Sequence, residues 1–565
     1  MTSGRVIVLG VTGPKHDPAA ALFIDGELVA AAEEERFVRK KHARKHAPVH
    51  AARFCLGHAG ITGADVDHVA YPWCPDTWKR WRGRQFRRTA LRQPWRSGVT
   101  WFKTARRFHR LRDRVAAALP EVTAPWTYVP HHRAHAASAR LLSGYDDCAV
   151  LTCDGLGEYV TTRCADGPTT VHEEAMPHSL GCFYSALTEY LGWRFNNGEY
   201  KLMGMAPYGD ARKVDLDGIA WVDEASGAFR LNPRYLWPAR RDRYEGRRFT
   251  RRLVDRLGPP RSGDGLAEPY THVAAATQRL LERAVHRILD THLKSALART
   301  RKLAFAGGTA LNVALNRTLL ARDDIDALFV QPAANDAGTA LGAAAWVSAQ
   351  HGAPPRPQRD TYLGPAYGDD AIERALGDAG VAFERCDAPA RAAELLAEGA
   401  VVGWFDGRME FGPRALGHRS ILGHPGKPGT ARRINERIKL REVWRPFCPS
   451  VLDRAAPAIL GSNHPAPYMT IAFTIAEEWR TKIPEVVHVD GTARPQVVTA
   501  ADSPRFWRLL EEFERRTGLP VLLNTSLNRR GEPMACGPAD AIRLLTESEL
   551  DHLFLGDYHA RRAAR

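Results

Sequence analysis

Short apolar runs separated by polar turns open the chain. Residues 6–9 form the first, and 19–24 and 28–32 form two more, joined at Asp25-Gly26. Their lengths and bounding turn residues predict three strands, the last two paired through a tight hairpin. The pattern returns at 148–164, where 149–152 is apolar, Asp154-Gly155 follows, and 159–163 reads as further strand. Two copies of one strand, polar loop and hairpin are what a nucleotide-binding fold of two related halves would show. The spacing is too long for a solenoid repeat.

Helical periodicity fills the intervals. Residues 131–142 are rich in alanine, and 184–191 and 272–293 carry apolar residues at helical spacing. Two strand-to-helix junctions follow. The first is a strand at 302–306, Gly307-Gly308, then a helix at 309–320. The second is a strand at 327–330, a loop at 331–336, then a helix at 337–347. The stretch 352–367 holds four prolines and marks a domain boundary. Beyond it the pattern predicts helices at 390–397, 431–437 and 539–545 and strands at 400–405 and 520–523. The chain thus reads as α/β, with domains at 1–355 and 360–565.

Composition narrows the class. At 565 residues, 44% hydrophobic and 25% charged, the chain is neither collagenous, disordered nor a small disulfide scaffold. Nine cysteines without a C-x-x-C pair argue against a zinc ribbon and suit a reducing cytoplasm. No run of about 18 uncharged apolar residues is present, and the early run 6–11 is too short for a signal sequence, so a cytoplasmic protein without a membrane span is expected. The net charge is 79 − 64 = +15, and 13 of the basic residues fall within 77–112, where no acid occurs and seven aromatics are interleaved. Such a run can grip nucleic acid. It can equally be a solvated helical face with its aromatics turned inward.

Several constellations carry candidate chemistry. His131 and His135 lie four apart in a predicted helix, which puts both rings on one face at a spacing a divalent metal can use. Asp154 and Asp336 both sit at strand ends, where open α/β sheets place ligands. Two histidines and a carboxylate with open positions suit iron(II) or a similar ion better than structural zinc. Gly307-Gly308 opening a helix, with Asn312 one turn in, offers backbone amides to an anion. The glycine-rich loop 196–209 carries Glu199 and Lys201, and a lysine there could meet phosphate oxygens. His16 follows the first strand and could act as a base near neutral pH. In the second domain Arg414, Arg419, Arg432, Arg433, Arg437, Lys439 and Arg441 lie between Arg408 and Arg445, with Arg494 and the serine of 524–528 further on; arginine forks and a serine hydroxyl suit phosphate, while Arg432, Arg433 and Arg437 can equally form the outer face of a helix.

Taken together, KHDPAAALFIDGELVAAAEEERFVRKKH, HHRAHAASA, HSLGCFYSALTEYLG, NGEYKLMGMAPYG, FAGGTALN, QPAANDAGTALGAA, GRMEFGPRALGHRSIL, KLREVWRPFCPSVL, HVDGTARPQ and LLNTSLNRRGEP resemble the motifs of the NodU/CmcH O-carbamoyltransferases, in order and over nearly the whole chain. The resemblance implies a duplicated actin-like (ASKHA, threonylcarbamoyl-transferase-like) ATP-binding domain followed by a YrdC-like α/β domain. It implies that the second domain makes carbamoyl-adenylate from carbamoyl phosphate and ATP with Mg(II). It also implies that the first passes the carbamoyl group to a hydroxyl of a small natural product, a sugar or aminoglycoside-like antibiotic, near a bound metal, commonly iron(II).

Residue by residue, the resemblance makes His131, His135 and Asp336 metal ligands with Asp154 close by, and His16 the base in the acceptor site. It makes Gly307, Gly308 and Asn312 the adenosine-binding turn. Lys439, Arg445, Arg494 and Ser526 become the carbamoyl phosphate pocket, with Arg414 in support. The acceptor loop departs from the pattern in that Pro18 follows His16-Asp17. The expected partner is a small hydroxyl acceptor, with no membrane or nucleic acid; a homodimer is left open. Two alternatives stand beside this reading: a tRNA-modifying transferase that uses the 77–112 run, and a non-catalytic nucleotide-binding regulator.

Overall fold

In the computed structural model, which describes residues 5–77, 79, 83, 109–237 and 242–562, the opening apolar runs become β1 (Ile7–Thr12), β2 (Ala19–Ile24) and β3 (Glu27–Glu33). The three form an antiparallel meander. Asp25 (φ 49°) and Gly26 (φ 78°) supply the two left-handed residues that a tight hairpin turn requires. β4 (His68–Tyr71) and β5 (Trp126–Tyr128) add in parallel beside β1, giving the order β3-β2-β1-β4-β5. Most of the basic run 77–112 lies outside the described residues.

The second sheet repeats the first. β6 (Ala149–Cys153), β7 (Val160–Asp166) and β8 (Thr169–Ala175) form a meander. A two-stranded insertion, β9 (Ala220–Val222) with β10 (Phe229–Leu231), intervenes. β11 (Lys302–Ala306) and β12 (Ala327–Val330) then add in parallel beside β6, for the order β12-β11-β6-β7-β8. Read outward from β1 or β6, each sheet has a hairpin on one side and two parallel strands on the other. This is the duplicated actin-like architecture, and both sheets present their polar loops at the ends of β1 and β6.

Close helix packing then sets the site. The helix Gly338–Gln350 packs on β1 and on the helix His131–Arg140. Both are alanine-rich, and glycine allows the approach: a Cβ on Gly10 would lie 2.1 Å from the Ala340 carbonyl oxygen, and one on Gly342 only 1.8 Å from that of Ala134. The second contact fixes the start of one helix, just after Asp336, against the helix that carries His131 and His135. The predicted single helix at 272–293 is instead a helix Tyr270–Ile288 that widens into a π-turn at Leu289–Leu293. The segment 430–438 likewise runs from a helical turn, Thr430–Arg433, into a π-turn, Ile434–Ile438. Both insert a residue that apolar periodicity does not reveal.

These elements belong to a first unit that ends at Gln358; residues 36–41, 264–266 and 359–565 make a second. The second unit is built on a mixed eight-stranded sheet in the order Phe383–Arg385, Tyr558–Arg561, His552–Leu555, Val402–Phe405, Arg419–Gly423, Val521–Ser526, Cys448–Leu452 and Gln496–Val498. Helices Ala388–Glu398 and Pro504–Thr517 pack on each other over a core of Trp404, Phe506, Phe513 and Phe554. Among the described residues, no helix is long and apolar enough to cross a membrane.

Candidate metal centre and anion pocket

Helix His131–Arg140 begins after Pro130, which has no side chain to cap it. Glu158 takes that role from the second sheet: its buried carboxylate accepts the His131 amide at 3.1 Å and the Cys74 amide at 2.6 Å. His131 Nδ1 lies 3.2 Å from the Pro72 carbonyl oxygen and donates to it. That bond orients the ring so that Nε2 faces Asp154 Oδ2 at 3.7 Å and Asp336 Oδ1 at 3.6 Å.

His135 lies one turn on. Among the described residues, neither of its buried ring nitrogens, nor His131 Nε2, has a hydrogen-bond partner. One ligand atom from each of His131, His135, Asp154 and Asp336 lies within 4.8 Å of the others. Unpartnered imidazole nitrogens facing two carboxylates fit a divalent cation, which replaces the missing partners. Burial alone would lower His131, but the two carboxylates overcome it and raise its pKa to about 10. Burial, reinforced by His131, lowers His135 to about 4, so that it is a neutral donor at pH 7. His132 hydrogen-bonds through Nδ1 to Thr152 Oγ1 at 2.7 Å and stands outside the four.

Asp154 is aimed by the neighbouring strand-end turn. Its Oδ1 accepts the Gly308 amide at 3.0 Å, leaving Oδ2 toward His131. Gly307 makes this possible, with φ 95° and a position where a Cβ would lie 2.2 Å from the Cys153 carbonyl oxygen. Gly307→Ala is therefore expected to destabilise the protein by at least the roughly 1–3 kcal/mol of left-handed strain, with a correspondingly lower Tm by calorimetry. Asn312 caps the helix Val313–Leu320 by accepting the Leu315 amide, and it exchanges two hydrogen bonds with Gln278. Glu199 is occupied locally by the Ser185 hydroxyl and the amides of Asn196 and Gly198. Lys201 is buried, with its ammonium 5.8 Å from the Trp193 ring centroid.

His16 is held on both sides. Nδ1 donates to Asp17 Oδ2 at 2.9 Å, and Nε2 accepts from Asn196 at 3.1 Å and lies 3.8 Å from Asp336. Asp17 also takes His42 Nδ1 at 2.8 Å. Burial opposes protonation of His16, but Asp17 and Asp336 outweigh it and raise the pKa to about 9. A cation sharing Asp336 opposes that rise, since it offsets one of the two carboxylates.

In the second unit the Lys439 ammonium is buried against four acceptors: the Ser526 carbonyl (2.6 Å) and hydroxyl (3.3 Å), and the Asn528 carbonyl (2.9 Å) and side-chain oxygen (3.0 Å). Burial first, then Arg441 and Arg445, holds its pKa well below the usual lysine range. Arg494 points two guanidinium nitrogens at Cys448 Sγ, at 2.8 and 3.2 Å. Cys448 is in register with Asn524, two residues before Ser526 on the adjoining strand, so these groups share one end of the sheet. Arg445 lies 3.5 Å from Glu442, and Arg414 is half-buried. The loop that carries Arg414 is organised by Glu410, whose Oε1 accepts the amides of Leu416, His418 and Arg419. The buried Arg419 guanidinium donates to the carbonyls of Pro365, Asp406, Gly407 and His418. Sequence patterns missed Glu158 and Cys448, whose partners lie far along the chain, and also Asp17 and Glu410, whose partners are near in sequence but are chosen by loop conformation.

An uncharacterised Synechocystis protein is 37% identical over a 607-residue alignment that covers 99% of this chain and 97% of that one. The nodulation protein NolNO of Sinorhizobium fredii is 37% identical over 96% of this chain and 78% of its own. NolO of Bradyrhizobium diazoefficiens is 37% identical over 76% of this chain and 78% of its own. The carbamoyltransferase N-terminus pattern matches residues 7–345 and the carbamoyltransferase C-terminus pattern matches 393–562, so the chain belongs to the carbamoyltransferase family.

Proposed function

We propose that the protein is an ATP-dependent O-carbamoyltransferase that works through carbamoyl-adenylate. Water hydrolyses carbamoyl phosphate to carbamate and inorganic phosphate. A carbamate oxygen then displaces pyrophosphate from the α-phosphate of ATP, which carries Mg(II). An acceptor hydroxyl attacks the carbamoyl carbon, and AMP leaves. Arg414, Arg445 and Arg494 supply charge for the first reactant's phosphate, with Lys439 holding Ser526 and Asn528 in place. A divalent cation on His131, His135, Asp154 and Asp336, iron(II) by the donor set, supplies Lewis acidity toward an anionic substrate. Asp17 orients the His16 ring with Nε2 toward Asn196 and Asp336, and in the unprotonated imidazole that nitrogen takes the hydroxyl proton once the acceptor displaces Asn196.

The observation that carries this reading is the approach of His16 Nε2 to Asp336, a member of the four-residue cluster, at 3.8 Å. The acceptor is a small natural product bearing a hydroxyl. His16→Asn is expected to slow acceptor carbamoylation about 10²–10⁴-fold, measured by mass spectrometry of the product. An unchanged rate in a folded variant would remove His16 as the base.

A further inference from the structure

Beside the acceptor loop the fold gathers positive charge around one aromatic ring. Phe195 has the Arg248 guanidinium carbon 3.1 Å and the Arg44 guanidinium carbon 5.3 Å from its ring centroid. Arg194 is its chain neighbour and is exposed, while Arg44 and Arg248 are half-buried. Burial, then the charge of Arg194, lowers the Arg44 pKa, with Asp17 and Glu199 opposing; burial lowers that of Arg248 too, with Arg243 and Arg44 adding to it and Glu189 opposing. Arg44 and Arg248 thus share the Phe195 ring, and Arg194 adjoins that ring along the chain and adds its charge to the field at Arg44.

Only Arg248 has a carboxylate, Glu189 at 2.6 Å. Among the described residues Arg44 and Arg194 form no ion pair. The nearby acids are occupied: Asp17 by His16 and His42, Glu199 by a hydroxyl and two amides. Like charges held together out of bulk water repel, and an anion between them turns that repulsion into attraction. Planar guanidinium forks suit phosphate and carboxylate. The cluster also adjoins the proposed base. Asn196, next to Phe195, reaches His16 Nε2 at 3.1 Å, and Asn197 lies 3.4 Å from His42 Nε2.

We propose that Arg44, Arg194 and Arg248 form an anion subsite for the acceptor, so that the molecule carbamoylated is a hydroxyl compound carrying a phosphate or a carboxylate, and not a polycation. This rests on the reading of His16 as the base of carbamoyl transfer. It replaces the aminoglycoside-like acceptor expected from the resemblance, because several ammonium groups would be repelled here.

Calorimetric titration of the full chain with glucose 6-phosphate, glucuronate, glucose and kanamycin tests it, on the wild type and on Arg44→Ala/Arg194→Ala. Glucose 6-phosphate or glucuronate should bind at least ten-fold more tightly than glucose or kanamycin, with an affinity that falls as salt rises. The better of the two identifies phosphate or carboxylate. The double variant should lose at least ten-fold, and Arg194→Lys should keep most of the affinity. Should the double variant unfold, Arg194→Ala at its exposed position gives the same comparison. The proposal is overturned if neither anion binds the wild type, if the variant binds both as the wild type does, or if kanamycin binds best. Failure of carbamoyl transfer itself reads out separately, as a wild type that releases no pyrophosphate from ATP and carbamoyl phosphate.

Discussion

His135→Ala is expected to lose bound metal, with affinity for iron(II) or a surrogate divalent ion weakened on the order of 10²-fold or more, and with acceptor carbamoylation falling at least as far. Both His135 nitrogens are buried and, among the described residues, unpartnered. A histidine kept for packing would have one of them hydrogen-bonded, because an unsatisfied buried polar atom costs about 1–3 kcal/mol. Alanine at the same position sits well in a helix already rich in alanine, so the folded state survives and the metal readout stays interpretable. Pyrophosphate release, which the proposed mechanism assigns to residues of the second unit, should fall far less than transfer. Equal metal content in wild type and variant would make His135 a core histidine and leave the cluster without a cation.

Arg494→Ala and Lys439→Met are expected to fail in different ways. The Lys439 ammonium has three protons and four oxygens around it, so its hydrogens are committed to the strand end at Ser526 and the turn at Asn528. Methionine there leaves buried acceptors unpaired, and the variant should lose several degrees of Tm along with adenylate formation. Among the described residues Arg494 is held only by a thiol, a weak acceptor, which leaves its guanidinium available to an anion. Its removal should abolish pyrophosphate release, by about 10²-fold or more, with little change in Tm. Thermal unfolding and a pyrophosphate assay on the two variants separate the roles. If Arg494→Ala melts early and Lys439→Met does not, the assignments are reversed.

Much of the first unit could be read from the chain because its signals are local. Asp25-Gly26 marks a hairpin by the conformations that turn demands, and the apolar runs around it keep strand length. The repetition of that pattern at Asp154 foretells the two matching sheets. His131 and His135 share a face by helical spacing alone. What completes the site has no local mark. Glu158 caps the His131 helix from 27 residues away, and Asp336 reaches it only because glycine and alanine let two helices touch.

Other readings changed for related reasons. Glu199 and Asn312, expected at the nucleotide site, also make caps and hydrogen bonds within the fold, Glu199 to Ser185 and Asn312 to Gln278, work that polar side chains near helix starts commonly do. The Arg44–Phe195–Arg248 stack joins three distant segments, which charge counting along the sequence cannot show. The π-turns are invisible for a further reason, since one extra residue barely alters the apolar pattern.

The central claim is two-step transfer through an adenylate. Purified protein incubated with ATP, Mg(II), carbamoyl phosphate and iron(II), without acceptor, tests it most directly, with phosphate and pyrophosphate followed and carbamoyl-adenylate sought by mass spectrometry. The account predicts release of both ions in equal amounts and the adenylate mass. Binding of ATP and carbamoyl phosphate without pyrophosphate release, while an added acceptor still becomes carbamoylated, would contradict it.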